Sequence, residues 1–198
     1  SAKYNINLVY FSQTDGTPWA RKFLAARLHD ENWPLIYFDG YAIIMIKNSP
    51  NNKALIEKYK IDGKKFADRL AELPAEAPEN EKLNLADLAV LYGRPDLAEN
   101  IYQAILAVRP LDAKISAALG FLHAGGAGAK ETVNSLKYFD QAVKNGYILP
   151  EIYNQMGLAY WNLADYGEAK KMWQKALKLD QGNEHAKYYL NQANQLIR

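Results

Sequence analysis

His29, His123 and His185 are the side chains in this 198-residue chain best suited to proton transfer or metal binding, because it contains no cysteine. Each histidine falls in a different predicted element, and none has a second ligand at the close spacing a metal site uses. The missing thiols exclude cysteine nucleophiles, disulfides and thiolate metal centres. Gly125-Gly126-Ala127-Gly128 has the composition of a phosphate cradle. However, no strand precedes it and no Lys-Ser or Lys-Thr pair follows it, so it reads as a turn between helices. Asp15 and Asp39 each precede a glycine, and turn formation explains both more simply than acid–base work does. The sequence therefore predicts no catalytic residue, no cofactor and no metal, and the chain is expected not to be an enzyme by itself.

Composition narrows the remaining classes. A net charge of +2 is too small to point to nucleic acid. A hydrophobic fraction of 49% against 23% charged residues describes a folded chain. No apolar run has bilayer length. The chain opens Ser-Ala without Met and enters a predicted strand almost at once. This suggests an excised piece of a longer protein, any membrane contact of which would lie upstream. Binding is what remains, and the expected partner is a protein or peptide. Oligomeric state is not encoded in any readable way.

The elements that would position a binding surface are clearest over 150–183. Tyr153, Met156, Gly157 and Tyr160 form one stripe at helical spacing, and Ala169, Met172, Trp173, Ala176 and Leu177 form another. Small residues alternate with rings, as they must where two helices cross closely and a ring fills the notch above a small residue. Asp165 and Tyr166 make the turn. This stretch resembles a tetratricopeptide repeat, whose aromatic, Leu, Gly, Tyr, Ala, aromatic, Ala places fall on Tyr153, Met156, Gly157, Tyr160, Ala169, Trp173 and Ala176. Gln181 stands where the family has Pro. Sliding the pattern back gives 79–112, with Ala98, Tyr102 and Pro110 in place, and then 113–149. The latter has Leu119 and Gly120 in place, and Phe139 and Ala142 after a three-residue insertion in the glycine-rich connection. That unit resembles a Sel1-like repeat. A last helix, 184–197, caps the series.

The resemblance implies that the first helix of each pair lines a concave face. Asp87, Phe121, Asn154, Leu158 and Trp161 are the candidate partner-binding residues on it. Phe121, Leu158 and Trp161 would make an apolar floor, with Asn154 free for a peptide backbone and Trp161 partly exposed in a shared groove. The carboxylate clamp of chaperone-binding members is not expected, since its places carry Leu83, Asp87, Ala118, Glu151 and Gln155.

Upstream, 4–11 reads as a strand and 18–29 as a helix with Thr17 as N-cap and Pro18 as first residue. Residues 35–38 and 41–46 flank Asp39-Gly40 as a hairpin. Two short helices follow at 51–60 and 63–73, then a proline-bearing linker at 74–81. Trp33-Pro-Leu-Ile-Tyr-Phe-Asp-Gly-Tyr, after the strand and helix, resembles the soluble tail of bacterial polytopic membrane glycosyltransferases of the dolichyl-phosphate-mannose mannosyltransferase type. That resemblance implies an extracytoplasmic accessory domain. The expected fold is mostly α: an α-solenoid of three tetratricopeptide-like helical pairs and a capping helix, after a small α+β domain of β-α-β-β order over 1–73. The sheet domain is expected to dock on the first repeat through an apolar face, and 124–130 to be mobile.

Overall fold

A computed structural model of the chain describes residues 6–15, 17–74 and 76–196. Tyr4, Asn5, Gly16, Ala75 and Ile197, which entered the expectations above, lie outside these. The chain divides into two compact units, Ser1–Ile101 and Tyr102–Arg198.

In the first unit, β1 (Leu8–Ser12), β2 (Leu35–Phe38) and β3 (Ala42–Ile46) form an antiparallel sheet of order β1-β3-β2. Alternation buries one face, carrying Phe11, Ile43, Met45, Leu35 and Phe38. Helix α1 (Pro18–Arg27) covers that face with Ala20 and Leu24, and Phe23 stacks on Phe11 at 5.5 Å. Thr17 sits at the N-cap as expected but does not cap with its hydroxyl. Both its amide and its hydroxyl donate to Asp15 Oδ1, at 3.0 and 2.8 Å. Asp39 shapes the hairpin: its Oδ1 accepts the amides of Tyr41 and Ala42, each at 2.7 Å. Helices α2 (Lys53–Tyr59) and α3 (Gly63–Ala71) follow, and Phe66 of α3 meets Phe38 at 4.7 Å.

Helix α4 (Glu79–Leu91), the first of the repeat region, shares this unit. It buries Leu85, Ala86, Leu88 and Ala89, and a polar stripe adds to its contact with the sheet domain. Asn84 Nδ2 donates to Gly40 O at 2.7 Å, Gln13 Nε2 to Asn84 O, and Arg21 pairs with Asp87 at 3.2 Å. The hairpin loop and the start of α1 supply the polar part of this contact. Gly40 is required there, since a Cβ would lie 2.8 Å from Glu81 Cα. Tyr92, just past α4, stacks on Phe66 at 4.0 Å and adds the aromatic part of the joint.

Helix α5 (Pro95–Val108) runs across the division. The second unit continues with α6 (Ala113–Ala124), α7 (Ala129–Lys144), α8 (Pro150–Asn162), α9 (Tyr166–Leu179) and α10 (Glu184–Leu196). The notch geometry recurs in consecutive pairs. A Cβ on Gly120 would stand 2.5 Å from Phe139 Cδ1, and one on Gly157 would stand 2.6 Å from Trp173 Cε2. Both rings are fully buried. Three helix ends close alike, with a left-handed residue at Gly93 (φ +78°), Gly146 (φ +89°) and Ala164 (φ +59°). After each, the next amide reaches back to a carbonyl five residues earlier: Arg94 to Ala89, Tyr147 to Ala142, Asp165 to Tyr160. Of these three, Ala164 is the one that is not glycine.

Candidate binding surface

Helix α8 supplies most of the candidate residues, and its three-and-four spacing sorts them. Ile152, Tyr153, Met156 and Ala159 turn into the core. Asn154 goes with them, contrary to the expectation that it is free. It is 8% exposed, and its Nδ2 donates to Asn183 Oδ1 at 3.1 Å. Asn183 also accepts the Ala186 amide at 2.9 Å, capping the start of α10. That second bond fixes Asn183 as acceptor and Asn154 as donor. Asn154 therefore ties α8 to the start of the last helix. Its own Oδ1 is buried without a partner among the described residues.

Trp161 is half-buried and packs within its own repeat, edge-on to Tyr166 at 4.9 Å and tilted against Trp173 at 5.8 Å. Trp173 in turn stacks on Tyr189 at 5.3 Å. Phe121, 39% exposed, stands edge-on to Phe139 at 5.0 Å. Asp87 is half-exposed and engaged by Arg21 within the first unit. Four of the five candidates are thus distributed among local partners. Leu158 is the one the structure sets in a concavity.

That concavity is a cleft of about 120 Å³ between the end of α6, the start of α7 and the second half of α8. Leu158 lies in its floor, Gln155 and Asn162 stand on α8 one turn either side, and His123, Thr132 and Ser135 face them. The hydroxyls of Thr132 and Ser135 donate to Gly128 O and Thr132 O, at 3.1 and 2.8 Å, which leaves oxygen lone pairs for the cleft. The amides of Gln155 and Asn162 have no side-chain partner among the described residues. His123 is 6% exposed, hydrogen-bonded through Nδ1 to Glu131 Oε2 at 2.6 Å and stacked on Tyr138 at 5.3 Å. The glycine-rich connection makes this possible. Gly126 passes under Glu131, where a Cβ would come within 2.9 Å of its Cγ. Gly128 (φ +100°) turns the chain into α7.

The other histidines are also held by packing. His29 lies 5.9 Å from Tyr92, and His185 lies 4.7 Å from Tyr189. Partial desolvation holds the His185 imidazole below its ordinary value. Among the described residues no group of three or more His, Asp or Glu could hold a metal ion, and no helix is long and apolar enough to cross a membrane. The sequence reading missed Gln155 and Asn162 as a pair. The signal was present: 155, 158 and 162 share one helical face, but the α6 and α7 side of the cleft depends on the connection's path.

Residues 150–183 match the family model of the tetratricopeptide repeat. Among solved structures, a MamA mutant superposes with a TM-score of 0.56 at 18% identity, covering 68% of this chain and 73% of that one. MamA AMB-1 gives 0.56 at 18% identity, covering 66% and 71%. MamA MSR-1 gives 0.55 at 16% identity, covering 68% and 76%. No curated protein matches the chain in sequence. Tetratricopeptide-like helical pairs with a closing helix, after a small α+β domain, are therefore the fold.

Proposed function

We propose that the chain is a non-catalytic protein-interaction module that grips an extended peptide segment on the α6–α8 side of its helical pairs. The observation that carries this is the cleft around Leu158, bracketed by the amides of Gln155 and Asn162, which have no side-chain partner among the described residues. Seven residues of helix set these amides about 10 Å apart, close to the span of three residues of extended chain. Each amide offers both a donor and an acceptor, which is what a peptide backbone needs. A photo-crosslinker placed at Gln155 should capture the partner and one at Lys171 should not, with Leu158→Arg abolishing capture. Equal capture from both positions would sink this reading.

The hairpin supports a second reading, an accessory domain of a membrane glycosyltransferase. Tyr37 Oη donates to Asp39 Oδ2 at 2.7 Å, so the Tyr and Asp of the resembling motif act together in shaping the turn. On this reading the motif carries architecture and not chemistry. Finding the chain in one reading frame with about ten upstream segments of spanning length supports it; a frame without them ends it.

A further inference from the structure

The two edges of the three-stranded sheet are finished differently. On β2, Ile61 N donates to Leu35 O at 2.8 Å, and Arg69 Nη1 reaches Phe38 O at 3.5 Å. The register of β2 also shifts between Leu35 and Tyr37, an irregularity that discourages further pairing. At β1, the opposite edge, the described residues show no such cover. Two bonds fix how its backbone faces. Lys47 N donates to Asn7 O and Gln13 N to Tyr41 O, both at 2.8 Å, so odd-numbered positions 7 to 13 bond to β3. By the alternation of an antiparallel pair, Leu8, Tyr10 and Ser12 turn their amides and carbonyls outward. Ser12 O accepts Asp15 N at 3.3 Å. The three amides and the other two carbonyls have no partner among the described residues.

The strand is Leu-Val-Tyr-Phe-Ser, without the Lys, Pro or bulge that blunts an edge. Leu8 and Tyr10 are 52% and 67% exposed on one face. On the other face a cleft of about 270 Å³ opens beside the strand, lined by Ile6, Val9, Phe23, Arg27 and Trp33. Arg27 is paired with Asp30, so the cleft's offer is mainly apolar.

We infer that β1 is a strand-addition site: it takes an extended, uncharged segment of a partner protein as a fourth strand and seats one large apolar side chain of that segment in the cleft. The ladder supplies affinity and the cleft supplies selection. A second copy of β1 has no free large side chain to seat in the cleft. Its Val9 and Phe11 would be the side chains facing the cleft, and Phe11 is buried against its own Phe23. This site lies in the first unit and does not depend on the repeat surface.

The probe is an end-blocked peptide, Thr-Val-Thr-Phe-Thr-Val-Thr, titrated into the full chain while amide hydrogen exchange is read residue by residue. Exchange at Leu8 and Tyr10 should slow about tenfold or more at saturation, while Val9 and Phe11 change little. Replacing the peptide's Phe by Gly should weaken binding severalfold. Tyr10→Pro removes an outward amide and no bond to β3, so it should abolish binding. Tyr10→Lys, which leaves the backbone whole, should weaken binding and serves if the proline variant does not fold. The inference is overturned if millimolar peptide leaves Leu8 and Tyr10 exchange unchanged, or if Tyr10→Lys binds as well as the parent. Protection that follows protein concentration instead of peptide would also overturn it, since a second copy would then hold the edge.

Discussion

The α6–α7 and α8–α9 pairs solve the same packing problem and are joined differently. Each sets a fully buried ring over a glycine, Phe139 over Gly120 and Trp173 over Gly157. The α8–α9 join is short: Ala164 takes the left-handed position, and Asp165 caps α9 by accepting the Glu168 amide at 3.0 Å. The α6–α7 join carries the glycine-rich stretch, which folds Glu131 back onto His123 and leaves the cleft beside it. The difference shows that the notch defines the pair, while the connection is free to build something else.

The largest test removes the two rings. Trp173→Ala and Phe139→Ala should each cost about 3–5 kcal/mol in urea unfolding. A cost below about 1 kcal/mol for either would break the equivalence of the notches. Glu131→Ala then isolates what the longer connection adds. It strips a hydrogen-bond partner from a buried imidazole and should cost about 1–3 kcal/mol. It should also speed amide exchange over 124–130, and an unchanged loop would show that His123 does not anchor it. At the shorter join, Ala164→Gly should stabilise by about 0.5 kcal/mol. Relief of the left-handed conformation, worth about 1 kcal/mol, is partly offset by the freer unfolded chain. A loss of stability there would remove Ala164 from the set it forms with Gly93 and Gly146. The smallest effect lies in α10. The folded-state value of His185 is lowered, so its contribution is fully present above the ordinary histidine value of about 6.5 and declines as pH falls through it. The ring is mostly exposed, so the loss is slight. His185→Gln should flatten this slope below about pH 6.5, and an identical slope would place its origin elsewhere.

What was legible in the sequence was whatever repeats along one helix. The stripes at Tyr153 and Trp173 placed α8 and α9 within a few residues and located the notch. The Asp39-Gly40 hairpin was legible because its signal is local. What escaped depends on segments far apart meeting. Nothing beside Asn154 announces Asn183 as its acceptor, 29 positions on. Gly40 reads as a turn glycine until Glu81 is seen above it. Thr17 is a good capping residue by type, yet Asp15 sits two positions before it and takes its hydroxyl. Leu158 was recognised as a surface candidate, but the cleft around it needed the path of the connection that Gly126 and Gly128 permit.

The tryptophans give each unit an optical signature of its own. Trp19 is 62% exposed on α1, where an aqueous quencher can reach it and water lowers its emission energy. Trp173 is sealed over Gly157, its Nε1 without a hydrogen-bond partner among the described residues, so its indole emits from dry surroundings. Trp161 lies 5.8 Å from it, near enough for excitation to pass between the two rings. With the half-buried Trp33 of the first unit replaced by Phe, the red and blue sides of one emission spectrum would separate melting of the second unit's notch from events on α1, with no label attached.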